Sequence, residues 1–162
     1  METSSRNDHE FMSMHVLVIC SGGGHWVQMK RILPAFRGHD VSVATVDLGS
    51  VKNAGVDFVS TTKIPDFNRK NLLATALFFP RALQMIRKLK PTHVVSTGAA
   101  PGIITLLIAR VMGCKTLWID SIANTKKLSL SGRLACLTAN EVFTQWEHLN
   151  GRHGARYVGR VI

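Results

Sequence analysis

The stretch His15-Val16-Leu17-Val18-Ile19-Cys20-Ser21-Gly22-Gly23-Gly24-His25-Trp26-Val27-Gln28-Met29-Lys30-Arg31-Ile32-Leu33 decides the fold. An apolar run of strand type meets three consecutive glycines, and a helix-compatible segment follows. Strand, glycine turn and helix in this order build an anion site in α/β proteins. Glycines allow the tight turn and let a ligand approach the backbone N–H groups, and the helix start adds about half a positive charge. A phosphate-bearing ligand is therefore the first expectation, with Ser21, Gly22, Gly23 and Gly24 as its cradle. His25, on the first turn, is placed to donate to a phosphate or to serve as a base, and a histidine that packs or hydrogen-bonds locally at the helix start is the alternative.

Working outward, strand-like and helix-like segments alternate. Short runs rich in Val and Ile predict strands at 14–20, 40–46, 58–61, 93–96, 116–119, 141–144 and 156–158. Helices are expected at 26–36, 72–89, 102–112 and 128–138, with Gly113 where a C-terminal glycine belongs and Pro91 closing the second. This alternation implies an open parallel sheet with helices on both faces, whose ligands bind outside the carboxyl ends of the strands. Residues 1–13 read as a loose tail and 14–162 as a single domain.

Three further segments at expected strand ends carry polar chemistry. Ser96-Thr97-Gly98-Ala99-Ala100-Pro101-Gly102 repeats the small-residue turn, so Thr97, Gly98 and Ala99 join the anion-binding set, although a plain capped turn fits equally. Asp120-Ser121 opens a turn that continues to Lys126-Lys127; Asp120 is a second candidate base, Ser121 a further phosphate contact, and a capping role is the alternative. Gln145-Trp146-Glu147 places a tryptophan between polar residues, to stack on a sugar, to seal an interface or to pack in the core. A dinucleotide fingerprint needs glycine where this chain has Val27, although Asp47 stands where a ribose-binding carboxylate would; no Gly-Lys-Ser/Thr follows the turn, which excludes a Walker loop. No carboxylate or histidine spacing suggests a metal site.

Composition limits the partners. Apolar residues make up 46% of the chain and charged residues 19%, as in a folded domain, yet 20 basic residues face 10 acidic ones. A net charge of +10 seeks an anionic partner, either a lipid surface, a phosphorylated substrate or nucleic acid. No helix-turn-helix, zinc-finger or RNA-recognition signature accompanies it, so nucleic acid is set aside. Between Thr61 and Lys90 seven basic residues stand against Asp66 alone. The helix expected there is apolar nearly all round in its first half and contains Pro80, which should kink or break it. It is either a buried, kinked helix or an interfacial segment in which Arg69, Lys70, Phe78, Phe79 and Arg81, with Trp146, face a membrane or a partner. No apolar run reaches the ~18–20 residues of a spanning helix, and the polar N-terminus is not a signal peptide. Cys20, Cys114 and Cys136 form no paired motif and read as small buried thiols of a reducing compartment.

Taken in order, these segments resemble one family. Gly23-Gly24-His25, Ser96-Thr97-Gly98-Ala99, Asp120-Ser121 with Leu128-Ser129-Leu130-Ser131-Gly132, Gln145-Trp146-Glu147 and the closing Tyr157-Val158-Gly159 are similar to the half-length GT-B glycosyltransferase subunit of bacterial capsule and exopolysaccharide synthesis, the PssD type. Its eukaryotic relative is the membrane-side subunit of the two-chain enzyme that adds the second N-acetylglucosamine to dolichol diphosphate. The resemblance spans residues 14–160. The glycine–histidine turn alone also resembles the acceptor domain of MurG-like enzymes. The family usually has Glu at the position of Asp120 and often Arg at that of Asn124, and the eukaryotic relative carries an N-terminal membrane anchor that this polar tail does not match.

The resemblance implies a Rossmann-like fold equivalent to the N-terminal half of a GT-B enzyme. It implies an acceptor- and membrane-binding subunit that is inactive without a donor-binding partner subunit. The partner would bring the UDP-sugar, and this chain would need no cofactor of its own. The acceptor would be a polyprenyl-diphosphate-linked saccharide, and transfer would be metal-independent with His25 or Asp120 as base. The expected location is the cytoplasm, peripheral on the cytoplasmic face of the membrane. A self-contained nucleotide-binding enzyme and a non-catalytic membrane scaffold are the alternatives.

Overall fold

The computed structural model describes residues 13–66 and 72–161, with side chains in the second helix from Leu77 onward. Seven strands form one sheet: β1 (His15–Cys20), β2 (Asp40–Thr45), β3 (Ser60–Lys63), β4 (His93–Ser96), β5 (Lys115–Ile119), β6 (Glu141–Thr144) and β7 (Arg156–Tyr157). Every pairing is parallel and the order is β3-β2-β1-β4-β5-β6-β7. The chain leaves β1 toward one edge and then crosses back to place β4 on its other side. That reversal opens a crevice beyond the carboxyl ends of β1 and β4, the usual ligand position in such sheets.

Parallel strands bury both faces, and this explains why β1 is apolar without alternation. Leu17 and Ile19, with Ala44, Val94, Trp118 and Val142, face a layer of three helices: α2 (Leu72–Leu89), α3 (Ala100–Val111) and α4 (Leu130–Thr138). Val16, Val18 and Cys20 face the opposite side, covered by α1 (Gly24–Ile32) and the 3-10 turns Leu33–Phe36 and Gly49–Asn53. The sequence reading extended α1 to residue 36, but Pro34 tightens its end into the 3-10 turn. The third strand runs from Ser60 to Lys63 rather than over 58–61, because Phe58 packs into the core ahead of the ladder. Helix α2 continues as one helix through Pro80, so of the expected kink or break the break does not occur. Phe78, Ala82, Met85 and Ile86 are buried on one side of it, and that packing outweighs the single backbone hydrogen bond proline removes.

The tail at 1–12 and the proposed membrane residues Arg69 and Lys70 lie outside the described residues. Of the other members of that set, Phe79 and Arg81 are exposed, but Phe78 is 3% exposed within the core and is corrected to a packing residue. Among the described residues no helix is long and apolar enough to cross a membrane.

Cys20 closes β1 inside the second core, where burial pushes its thiol up to about 12 from an ordinary 9.0. The folded state therefore favours the neutral thiol. Its stabilising contribution is complete below about pH 9 and is lost as the pH rises toward 12, by up to about 1.4 kcal/mol per unit. Chemical denaturation across that range should show a steeper alkaline decline in the wild type than in Cys20→Ala, and iodoacetamide should modify Cys20 only after unfolding.

Candidate anion-binding site at the switch crevice

The two glycine turns meet at the sheet reversal. Gly23 precedes α1 at φ 62, ψ −135, a conformation open to glycine at little cost. Across the crevice, Gly98 has φ 154 and Ala99 holds φ 70, ψ 163 ahead of α3. A non-glycine residue in that region stores about 1–3 kcal/mol of strain. Neither helix start is capped by a side chain, and neither has an acidic residue in its first turn. The N–H groups of both first turns and both helix dipoles therefore aim at one space without an internal counter-charge.

His25 and Thr97 lock the turns together. Thr97 Oγ1 donates to the His25 carbonyl at 2.8 Å, and His25 Nδ1 lies 2.9 Å from the Thr97 carbonyl. A carbonyl oxygen can only accept, so Nδ1 carries a proton, and in the neutral tautomer the lone pair is on Nε2. The imidazole is half-buried and lies flat against Gly98: a Cβ built there would stand 2.1–2.8 Å from three ring atoms. Glycine at 98 is thus required by its neighbour as well as by its own φ. The lock needs no ligand and holds one ring nitrogen ready to accept a proton.

The structure revises the third predicted segment. Asp120 is 2% exposed. Its Oδ1 accepts from Trp118 Nε1 at 3.2 Å and Ser129 Oγ at 2.6 Å, and its Oδ2 from Asn124 Nδ2 and the Ser129 N–H, each at 3.1 Å. With both oxygens committed to two donors each, the carboxylate has no free lone pair to take a substrate proton. Asp120 is corrected from candidate base to the anchor of the turn at 120–129. Ser129 extends the anchor by accepting from the Gly132 N–H at 2.7 Å as the N-cap of α4. Gly132 is needed beneath it, since a Cβ there would meet Asp120 Oδ1 at 2.5 Å and Cγ at 2.9 Å. Its replacement by alanine should cost about 1–3 kcal/mol through overpacking, read as a lower denaturation midpoint. Ser121 is half-buried one residue beyond the anchor; its Oγ accepts from the Ala123 N–H at 3.3 Å and its carbonyl from the Asn124 N–H at 3.0 Å.

Trp146 is likewise a fastener. Its Nε1 donates to the Ile122 carbonyl at 2.8 Å, and the Arg160 guanidinium sits 4.7 Å above its ring. It is half-buried against the core, with part of its surface still accessible. The adjacent His148 Nε2 bonds the Thr125 carbonyl at 2.7 Å. Asp47 bends back on its own turn by accepting from Gly49 N–H and Ser50 Oγ; the Ser50 hydrogen bond is the main reason its carboxyl is held below the usual range.

One contributor has no obvious signal in the sequence. Gln28 of α1 is 5% exposed, and its Nε2 donates to the carbonyls of Ile119 and Asp120 at 3.3 and 3.2 Å. Gln145, at the end of β6, donates to the same Asp120 carbonyl at 3.0 Å and accepts from the Val161 N–H at 3.0 Å. Arg31, also on α1, reaches the Val161 carbonyl at 3.4 Å. The ring from Gln28 through Asp120, Gln145, Val161 and Arg31 fixes the glycine-turn helix against the ends of β5 and β6. The four predicted segments therefore follow the adjacent strands β1, β4, β5 and β6 at one carboxyl edge. The first two form the open crevice, and the other two brace it.

Comparison with known proteins finds relatives in sequence and in fold. A protein-family model described as "Oligosaccharide biosynthesis protein Alg14 like" matches residues 71–161. The UDP-N-acetylglucosamine transferase subunit ALG14 of Eremothecium gossypii is 29% identical over 179 aligned positions, covering 91% of this chain and 80% of that protein. Among solved structures, MurG of Acinetobacter baumannii superposes with a TM-score of 0.66 at 16% identity, over 82% of this chain and 41% of that one. UDP-GlcNAc 2-epimerase of Neisseria meningitidis, bound to UDP-GlcNAc, gives 0.62 at 13% identity, over 82% of this chain and 40% of that one. The chain spans about two-fifths of each of these structures, and at such identities the likeness is one of fold.

Proposed function

Because this chain belongs to the Alg14-like family of oligosaccharide biosynthesis proteins, we propose that it is the acceptor-side subunit of a two-chain glycosyltransferase. The observation that carries this reading is the pair of uncapped glycine turns joined by His25 and Thr97 at the sheet reversal. Two helix starts converging on one space suit a diphosphate, whose two charged groups each need N–H donors. The acceptor is then a saccharide on a polyprenyl diphosphate, of the kind used in exopolysaccharide or capsule assembly. Ser21 to Gly24, Thr97 to Ala99 and Ser121 surround the diphosphate.

The named relative is a UDP-N-acetylglucosamine transferase subunit, which supports a UDP-sugar donor carried by a separate donor-binding chain. His25 Nε2 accepts the proton of the attacking hydroxyl as the new glycosidic bond forms and UDP leaves. The 162-residue chain works peripherally at the cytoplasmic face of the membrane, where its net charge of +10 meets anionic lipid. The test is transfer of labelled N-acetylglucosamine from UDP-GlcNAc to a synthetic polyprenyl-diphosphate-linked acceptor. Co-expression with a donor-binding subunit should give transfer, and the chain alone should give none; transfer by the isolated chain would reject the two-chain reading.

A further inference from the structure

The three-helix layer has an outer surface that the fold does not use. Of eleven exposed large apolar side chains among the described residues, eight belong to this layer. Helix α2 shows Leu77 and Phe79, and α3 shows Leu107 and Val111, with Met112 at its end. Helix α4 shows Leu130, Leu134 and Leu137, one apolar row at i, i+4 and i+7. Inward-facing residues of all three helices fill the core beneath, so these side chains point away from the sheet. The charges among them have one sign. Arg81, Arg87 and Lys88 on α2, Arg110 on α3 and Arg133 on α4 are exposed, and none of the three helices contains an acidic residue. Exposed apolar patches of this kind mark an interaction surface.

We propose that the outer surface of the α2–α3–α4 layer is the face that lies on an anionic membrane. Apolar side chains spread over three adjacent helices enter the acyl boundary, while the five cations meet lipid phosphates. A protein partner would meet this face with carboxylates or a shaped surface; an anionic bilayer needs only a broad apolar face with cations and no acidic group, which is what the layer offers. The helices then lie along the bilayer. The first turn of α3 helps form the crevice, so a lipid diphosphate at headgroup level has a short path to the glycine turns. The inference rests on the peripheral-membrane part of the function proposed above and adds the face responsible.

Co-sedimentation of the full chain with phosphatidylcholine vesicles, with and without phosphatidylglycerol, tests it. Wild type should bind the anionic vesicles at least about tenfold more tightly and weaken with salt. Arg81→Gln with Arg133→Gln should weaken that binding about 25-fold, at about fivefold per cation. Val111→Ser with Leu137→Ser, at side chains 80% and 78% exposed, should weaken it about tenfold without disturbing the core. Val27→Ser with Val158→Ser, exposed but outside the layer, should bind as wild type. Undiminished vesicle binding by the layer variants would overturn the assignment of the face while leaving a peripheral location intact. A change from oligomer to monomer, or loss of the donor-binding subunit with vesicle binding unchanged, would assign the face to protein contact and also overturn it. Vesicle binding that follows the layer variants in a chain that never supports transfer would uphold the face and reject the glycosyltransferase reading.

Discussion

Replacing Asp120 by alanine is expected to lower the unfolding midpoint by about 6–12 °C, from a loss of about 3 kcal/mol at roughly 2–4 °C per kcal/mol. The physical cause is the set of donors left behind. Trp118 is 1% exposed, so its Nε1–H loses its acceptor where water does not reach. The half-buried Ser129 N–H also loses its acceptor, and Asn124 no longer ties the turn to its base. A buried donor without an acceptor costs about 1–3 kcal/mol. Asp120→Asn keeps the shape but brings its own amide protons against a donor: on one side it faces Trp118 Nε1–H, on the other the Ser129 N–H. It should therefore be less stable than wild type and more stable than alanine. Below their melting points both variants should retain transfer within about tenfold, because a group that only positions others contributes less than a general base, for which about 10²–10⁴ is usual. A large activity loss with an unchanged melting point would return Asp120 to the chemistry.

The same residue shows where sequence reading succeeds and where it stops. The run from His15 to Leu33 specifies a buried strand, a glycine turn and a helix, and the alternation of such units specifies a parallel sheet. Those signals are local and periodic, and β1, β4, β6 and the span of α2 lie where they were expected. The position of the glycine turns at adjoining strand ends also follows from strand order. A side chain's partners carry no such signal. Asp120, read as a base because it ends a strand, is saturated by Ser129, nine residues on, and by Trp118, two residues back on the same strand. Gln28 reads as an ordinary helix polar residue until a carbonyl 92 positions away is found to hold it. Phe78 and Phe79 are neighbours of one residue type, and only the rotation of α2 buries the first and exposes the second. Pro80 predicts a kink or a break because proline removes a backbone donor, but tertiary packing keeps the helix unbroken.

His25→Ala is expected to reduce transfer by the assembled enzyme about 10²–10⁴-fold, the usual worth of a positioned general base. Because the side chain is half-buried and its hydrogen bond goes to the Thr97 carbonyl, the melting point should fall by far less than for Asp120→Ala. His25→Asn separates two roles. Its amide can still donate to the Thr97 carbonyl and hold the two turns together, but it offers no basic nitrogen. If His25 only fastens the turns, asparagine rescues transfer; if Nε2 takes the proton, asparagine is as inactive as alanine. Gly98→Ala provides the third arm without touching any reacting group. Its Cβ would stand 2.1 Å from the ring Cε1 and 2.2 Å from Nδ1, so the imidazole has to swing out of its lock. Transfer should then fall nearly as far as in His25→Ala. An active Gly98→Ala enzyme would mean that the ring's seat against the second turn is dispensable, and with it the argument that these two turns act as one site.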